Sequence, residues 1–536
     1  MTKLVLALGS MSIALVLMMA AGGALDAQQG QSPAAPPRHP SPAEMPQATL
    51  DDMLIRFPLP PGQEAYADID GKRMHRYVVD QANMARKYRD LGHPKFWGRI
   101  IGTSADAESV EWMMAKLKAA GATEVRSQPL DLVPQWFPRT WEVSVTGGGK
   151  TIALDSAQPF YGVAGTAAEG VDLEAVYVGL GSEADFAGRD VKGKAVFVFT
   201  MLGGSNEGAV RRADDKGAAA IVEVNMLPGN VRYQAYPSRS KAPAFVVGHD
   251  DGDAAREIMG AMPAGQAARV KVKLAVERVP NLKTALVWGT LPGATDETIY
   301  IMAHRDGWFD AAGDNASGVA SLLGLAEHYG KMPQAQRKRR IVFIGLDGHH
   351  NSGEGSAVGN RWIIDNRQKL FAKTALAINV EHPSTIQTQS RPRYYNANEI
   401  VWGNTYMPQQ WYAGGPSRPE LQKIAADAFK MFGATMNLYP NPTPPASDMS
   451  SFYRFLPGVD TGEYHHYFHT DLETPQTVPW TGLEASTRAY AKIIDEVNKL
   501  PLSTFQRPEE PAPTPQTPPP TAAKPTPATV KPPPQE

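Results

Sequence analysis

Thr298–Ala303 (TIYIMA), His304-Arg305-Asp306, Gly313-Asp314-Asn315-Ala316-Ser317-Gly318, and Arg340–Leu346 (RIVFIGL) closing on Asp347-Gly348-His349-His350 form the stretch that decides the fold. Both apolar runs are of the buried-strand type, and each stops at a polar cluster. Between them, Val319, Leu322, Leu323, Ala326 and Tyr329 recur at helical spacing. Strand, helix and strand, with carboxylates and imidazoles at the strands' carboxyl ends, predict an open α/β sheet that binds a ligand along that edge. The pattern returns at Ala375–Val380, which runs into Glu381-His382.

Downstream, Pro419 to Phe432 reads as a helix with Ser417 as its N-cap and Gly433 behind it. A last helix covers about Leu483–Leu500. Upstream, a helical stretch from Tyr77 leads into Phe96-Trp97-Gly98-Arg99. Val110, Met113, Met114 and Leu117 then share one face of a helix that ends before Gly121. Between Ile152 and Val272 the texture changes to short strand-like runs (Leu173–Tyr177, Ala195–Phe199, Ala219–Val224, Ala244–Val247) separated by Gly and Asp turns. That interval holds no cluster of metal-ligand types and is read as an inserted β-rich domain without chemistry of its own.

A chain of 536 residues exceeds one ordinary core, so two folded domains with tails are expected. Lys3, the apolar run Leu4–Ala21 and the small residues around Ala24 and Ala27 read as a secretory signal over 1–27, with an uncleaved anchor as the alternative. Residues 28–48, rich in Pro, Ala and Gln, are expected to be a disordered linker, and 505–536 a proline-rich disordered tail. A main α/β domain is assigned to 70–150 and 276–502, and the insert to 151–275. The formal net charge of −2, with no long Lys or Arg run, gives no reason to expect a nucleic-acid partner. No membrane domain is expected beyond the signal or anchor. Cysteine is absent, which excludes disulfides and thiolate metal sites.

The strand-end and loop groups are His304, Asp306, Asp314, Asp347, His349, His350, Glu381 and His469. Imidazole with carboxylate, without thiolate, suits Zn²⁺ and related divalent ions. One Asp can bridge two ions, and such a pair polarises a carbonyl and acidifies water. A Ser-His-Asp hydrolase needs a Gly-x-Ser-x-Gly elbow, and neither Gly353-Glu354-Gly355-Ser356 nor Asn315-Ala316-Ser317-Gly318 supplies one. Metal-assisted hydrolysis is therefore the favoured chemistry.

His304-Arg305-Asp306 followed by Gly313-Asp314-Asn315-Ala316-Ser317-Gly318 resembles the His-x-Asp and Asp-Asn-Ala-Ser-Gly signature of the M28 family of zinc peptidases. Phe468-His469-Thr470-Asp471-Leu472-Glu473-Thr474 is similar to that family's C-terminal segment, with Glu473 where Asp is usual. Ser447-Asp448 to Phe452 is similar to its Ser-Asp-His-x-x-Phe loop, with Met449 for His. The insert resembles a protease-associated (PA) domain at Val191-Lys192-Gly193-Lys194, Lys216-Gly217-Ala218-Ala219 and Ala242-Pro243-Ala244. The resemblance implies a mixed-sheet, three-layer αβα domain of the phosphorylase/hydrolase type carrying a β-rich PA insert. It also implies one or two Zn²⁺ ions, with His304 on one, Asp314 bridging both, Glu381 completing the first site and His469 in the second. Asp306 would orient His304.

The family's Glu-Glu pair, general base and ligand, is missing after the third strand. His350 is taken as the substitute ligand, and Asp347 or His349 as the proton shuttle. The implied activity is an exported exopeptidase acting on peptides, aminopeptidase favoured over carboxypeptidase. The alternatives are a catalytically impaired binding protein on the same fold and a single-zinc amide-processing enzyme such as a glutaminyl cyclase. Glu463 is a candidate to hold a substrate's ammonium, and Arg211 or Arg212 a carboxylate.

Overall fold

The computed structural model describes residues 56, 58–200, 206–236, 240–350, 358–391, 399–403, 409–414, 418–434, 436–438, 445, 447–462 and 467–507. The signal, the Pro/Ala/Gln-rich linker, Gly353–Ser356, Ser417, Glu463 and nearly all of the proline-rich tail lie outside them.

Three parallel strands sit side by side within an eight-stranded mixed sheet: Thr374–Val380, Thr295–His304 and Arg339–Leu346. The register pairs His304 with Leu346 and Met302 with Asn379, so all three carboxyl ends reach one edge. These runs are apolar without alternation because both faces are covered. Ile299, Ile301 and Ala303 enter one core with Leu322 and Leu323 of the helix Gly318–Gly330. Tyr300 and Met302, pointing the other way, join a second core with Ile363 of the helix Val358–Asp365. Helix, sheet and helix make the three-layer α/β arrangement read from the sequence.

The flanking helices run Gly71–Asp90, Ser104–Ala119, Pro419–Met431 and Trp480–Lys499. The Pro419 helix is capped at Arg418, whose side chain makes no cap bond. Its guanidinium donates instead to the Phe505 carbonyl at 3.0 Å. Phe505 is fully buried, so the packed fold reaches into the start of the expected tail.

A second sheet, also of eight strands, begins at Gln135–Gly147 and ends at Arg269–Val279, two long antiparallel partners. Its parallel middle consists of Val171–Tyr177, Ala195–Phe199, Ala220–Val224 and Ala244–Val247. The segment between Ala220–Val224 and Ala244–Val247 runs against the His469 region. Gln234 N–H donates to the His469 carbonyl at 2.9 Å, Asp471 N–H to Arg232 at 3.1 Å, and Tyr233 bridges Thr470.

Candidate metal centre

The Asp-Asn-Ala-Ser-Gly box turns the chain from the first central strand into its helix. Asn315 Nδ2 donates to the Val380 carbonyl at 2.8 Å, and its Oδ1 accepts from Gly318 N–H at 3.0 Å and His382 N–H at 3.2 Å. One amide thus ties the Asp314 turn to the end of the neighbouring strand. Gly318 is required by close approach, since a Cβ there would lie 2.2 Å from Asn315 Oδ1 and 2.3 Å from the Val380 oxygen. The Asp314–Asn315 peptide is cis. Non-glycine residues with left-handed φ gather here: Phe309, Ala311, His382 and His469. Such conformations persist where surrounding packing over-determines them, and they concentrate at functional sites.

Asp314 lies at the centre, 1 % exposed. Its Oδ1 faces His304 Nε2 and His382 Nε2, each at 3.0 Å. Its Oδ2 faces His350 Nε2 at 2.8 Å and His469 Nε2 at 2.9 Å, and those two nitrogens are 3.1 Å apart. One carboxylate therefore stands between two pairs of imidazoles. A tetrahedral Zn²⁺ with bonds of ~2.0–2.2 Å sets its ligand atoms about 3.3–3.6 Å apart. The observed spacings are a few tenths shorter, and His304 Nε2 and Asp314 Oδ1 are buried without a hydrogen-bond partner. The donor set of four imidazoles and one central carboxylate fits one or two zinc ions.

Two carboxylates hold these ligands from behind. Asp306 Oδ2 accepts from His350 N–H at 2.9 Å and faces His350 Nδ1 at 3.2 Å, while its Oδ1 lies 3.6 Å from His304 Nδ1. Asp306 thus orients His350 at least as directly as His304. Glu473 accepts from the backbone N–H groups of Asp314 and His469. Arg99, fully buried, donates to the carbonyls of Arg305, Asp310 and Ala311 and fixes the loop between His304 and Asp314.

Glu381, expected to complete the site that contains His304, shares a group of ligand types with His304 but not with Asp314. Its Oε1 lies 4.0 Å from His382 Nε2 and 3.6 Å from His349 Nε2, so it groups with His304, His349 and Asp448. The imidazole beside Asp314 on that side belongs to His382. His349 stacks on His304 at 4.3 Å, and its Nδ1 faces Asp448 Oδ2 at 3.3 Å. Tyr236, from the segment between Ala220–Val224 and Ala244–Val247 of the second sheet, brings its hydroxyl to 3.1 Å from His349 Nε2. Asp347 faces away from the imidazoles, toward Gly359 and the Arg305–Asp106 pair, and joins none of the ligand groups. Arg212 donates to the Gly181 carbonyl and Arg211 is exposed on the same helix, far from a role at the cluster.

Charge follows this geometry when no cation is bound. Burial opposes protonation of His304, yet the carboxylates of Asp306 and Asp314 overcome it and hold its pKa well above the ordinary value. Burial likewise opposes ionisation of Asp314, but the surrounding imidazoles keep its pKa well below the carboxylate range. Burial pushes His469 down to about 3, leaving it neutral and ready as a ligand. His349 is lifted to about 9: burial and His304 work against this, and Asp448 and Glu381 prevail. Burial raises Asp347 to about 7.

His382 and Asp448 were noted in the sequence without a role at the site, and Tyr236 was not singled out. His382 follows Glu381 directly at a strand end and offered a signal; Tyr236 offered none.

Residues 287–494 match the sequence model of peptidase family M28. A probable glutamate carboxypeptidase VP8 of Zea mays is 24 % identical over 348 residues, 53 % of this chain and 48 % of that protein. The chain thus spans about half the length of that curated relative. Among solved structures, a peptidase M28 precursor from Shewanella amazonensis superposes with a TM-score of 0.61 at 17 % identity, covering 87 % of this chain and 99 % of that one. BSAP, a zinc aminopeptidase from Bacillus subtilis, gives a TM-score of 0.57 at 16 % identity over 85 % of this chain and all of that one. Both likenesses concern the fold.

Proposed function

From the premise that the chain belongs, through residues 287–494, to peptidase family M28, we propose that it is an exported, zinc-dependent exopeptidase that removes residues from the amino end of peptides. The observation that carries this is Asp314 between the His304/His382 and His350/His469 pairs. Those five residues would hold one or two zinc ions, with Glu381 near the first. When bound, the metal polarises the scissile carbonyl and makes a water acidic near neutral pH.

The chain's own groups do the rest. His349 moves the proton from water to the leaving amine, oriented by Asp448 at its Nδ1. Asn360 Nδ2 donates to Asp448 Oδ1 at 2.7 Å and keeps that carboxylate in line. His349, an imidazole in place of the family's glutamate, is preferred over Asp347 because Asp347 faces away. Asp306 and Glu473 set the ring orientations and the backbone of the ligand loops.

The choice of the amino end rests on charge. The guanidinium groups next to the cluster are engaged elsewhere: Arg99 with backbone carbonyls, Arg305 with Asp106, Ser109 and the Ala285 carbonyl. The buried carboxylates of Glu381 and Asp448 beside the cluster supply negative charge that suits an ammonium group. The zinc aminopeptidase among the similar folds supports the same end, and the glutamate carboxypeptidase relative is the competing precedent. Export follows the signal-like first 27 residues, and the second sheet is read as a PA-like insert. Among the described residues no helix is long and apolar enough to cross a membrane.

The test is hydrolysis of aminoacyl and N-blocked peptide substrates by the purified full chain, with zinc and then with chelator. Chelator-sensitive cleavage confined to free amino ends is expected; turnover indifferent to chelator overturns the proposal.

A further inference from the structure

Tyr236 differs from the other side chains at the centre in where it comes from. It belongs to the segment between Ala220–Val224 and Ala244–Val247, outside the parallel strands that carry His304 and lead into His350 and Glu381. Backbone donors fasten that segment to the His469 loop: Gln234 N–H to the His469 carbonyl at 2.9 Å and Arg232 N–H to Asp471 Oδ1 at 3.1 Å. The half-buried Tyr236 ring then lies 4.5 Å from the His469 ring and 6.1 Å from that of His350, to which it is nearly parallel. Its hydroxyl is 3.1 Å from His349 Nε2. Other approaches to this imidazole are occupied. Nδ1 faces Asp448 Oδ2 at 3.3 Å, and the ring stacks on His304 at 4.3 Å. Glu381 Oε1 is 3.6 Å from Nε2, beyond hydrogen-bond range.

We propose that Tyr236 is a catalytic residue: its hydroxyl carries the proton between the attacking water and His349 Nε2, so that a segment of the second sheet completes the active site. This rests on the peptidase reading and on the role of His349 in it. In the neutral ring the hydrogen sits on Nδ1, toward Asp448, which leaves the Nε2 lone pair to accept from the phenol. As the water oxygen bonds to the scissile carbonyl carbon, one water O–H bond breaks and its proton passes to the phenol oxygen. The phenol's own proton passes to Nε2 at the same time, so the phenol is neutral before and after. The reverse passage, from Nε2–H through the phenol, delivers a proton to the leaving nitrogen as the C–N bond breaks. A base can act through one intervening hydrogen-bonded group as well as by direct contact.

The test compares the full-length wild type with Tyr236→Phe, His349→Gln and the double variant, each loaded with zinc, on an aminoacyl p-nitroanilide. Tyr236→Phe should lower kcat about 10-fold or more, part of the ~10²–10⁴ that positioned proton transfer contributes, with KM and bound zinc within about threefold of wild type. Added to His349→Gln it should lower kcat no further, because groups on one proton path are not additive. In chain labelled with ¹⁵N at the histidine rings, the His349 Nε2 resonance, identified by its loss in His349→Gln, should move in Tyr236→Phe. A Tyr236→Phe chain with kcat within about threefold of wild type overturns the relay and leaves the peptidase reading intact. Losses that multiply in the double variant, or an unmoved His349 resonance, do the same. A Tyr236→Phe chain that loses its zinc also overturns it, because the ring then serves to support the ligands. A wild-type chain without chelator-sensitive hydrolysis overturns both.

Discussion

Replacing Asp306 by Asn should weaken metal binding about 10–100-fold, that is ~1.4–2.7 kcal/mol, without touching a ligand atom. Asp306 is 2 % exposed and meets two ligand imidazoles and two backbone donors. Oδ2 takes His350 N–H at 2.9 Å and faces its Nδ1 at 3.2 Å; Oδ1 takes His349 N–H at 3.3 Å and faces His304 Nδ1 at 3.6 Å. An amide has the same shape, but its NH₂ must face one of these donor pairs. At least one charge-assisted bond, worth about 1.5–3 kcal/mol, is then lost. Asn can still accept on its oxygen, which places the effect in the stated range rather than at the sum of all four contacts. The assay is zinc competition against a chromogenic chelator, with kcat/KM followed in parallel and circular dichroism to verify folding. The loss should fall mainly on the ion held by His350 and His469. A folded Asp306→Asn chain that holds zinc within about threefold of wild type would refute the argument that this carboxylate sets the ligand rings.

Four further outcomes follow from the same geometry. Asp314→Asn should remove both ions and abolish hydrolysis, read by metal content; a variant that kept its zinc and its rate would identify a different pocket. His349→Gln should lower kcat by ~10²–10⁴ while Asp347→Asn leaves it near wild type, a contrast that separates the two shuttle candidates. Asp347 also gives a pH signature: its folded pKa of about 7 lies above the ordinary ~3.9, so stability present below pH ~4 is lost as pH rises toward 7. Asp347→Asn should therefore stabilise the fold more at pH 8 than at pH 5, by up to about 2.7 kcal/mol (about two units at ~1.4 kcal/mol per unit), and equal melting shifts at both pH values would contradict this. Gly318→Ala should cost ~1–3 kcal/mol in chemical denaturation and loosen the Glu381-His382 turn, because its Cβ meets Asn315 Oδ1 and the Val380 oxygen at 2.2 and 2.3 Å.

The three central strands were legible because each is an apolar run that ends abruptly in charge, and burial on both faces requires that run. The helix Gly318–Gly330 was legible by its period. His304, Asp314, His350 and His469 were expected to meet, the first three because they lie at or just after strand ends that share an edge, and His469 because its segment resembles a known family's. The seats of Glu381 and His382 were not. Which of two adjacent residues points inward depends on a backbone turn, and His382 takes φ 43°, a choice no side-chain pattern announces. Asp448 and Tyr236 come from segments about 100 residues away from His349 in either direction, and only tertiary packing brings them to 3.3 and 3.1 Å. The second sheet's partner strands Gln135–Gly147 and Arg269–Val279 were missed as a pair because their pairing spans the whole segment between them.

With His349-His350 in the place of the family's Glu-Glu pair, as proposed above, the exchange would change the electrostatics of the cluster more than its shape. His350 sits 2.8 Å from the bridging carboxylate and 3.1 Å from His469, where a ligand is needed, so the seat is kept while one negative charge is lost. Two divalent cations would then be balanced locally by Asp314, with Glu381 near one of them. Less charge donated by the ligands means ions held less tightly, and it also leaves more of their field to act on a substrate carbonyl. At the proton-transfer position the exchange works the other way. An imidazole between Asp448 and Glu381 is favoured in its protonated form, as its pKa of about 9 without metal indicates, and cations beside Asp314 must lower that value before His349 can accept a proton. Under the proposed roles, metal loading and base strength would be coupled through Coulomb repulsion across the 4.3 Å stack of His304 on His349, a dependence that a glutamate base, which the same cations also make more acidic, would feel without needing it to become a base.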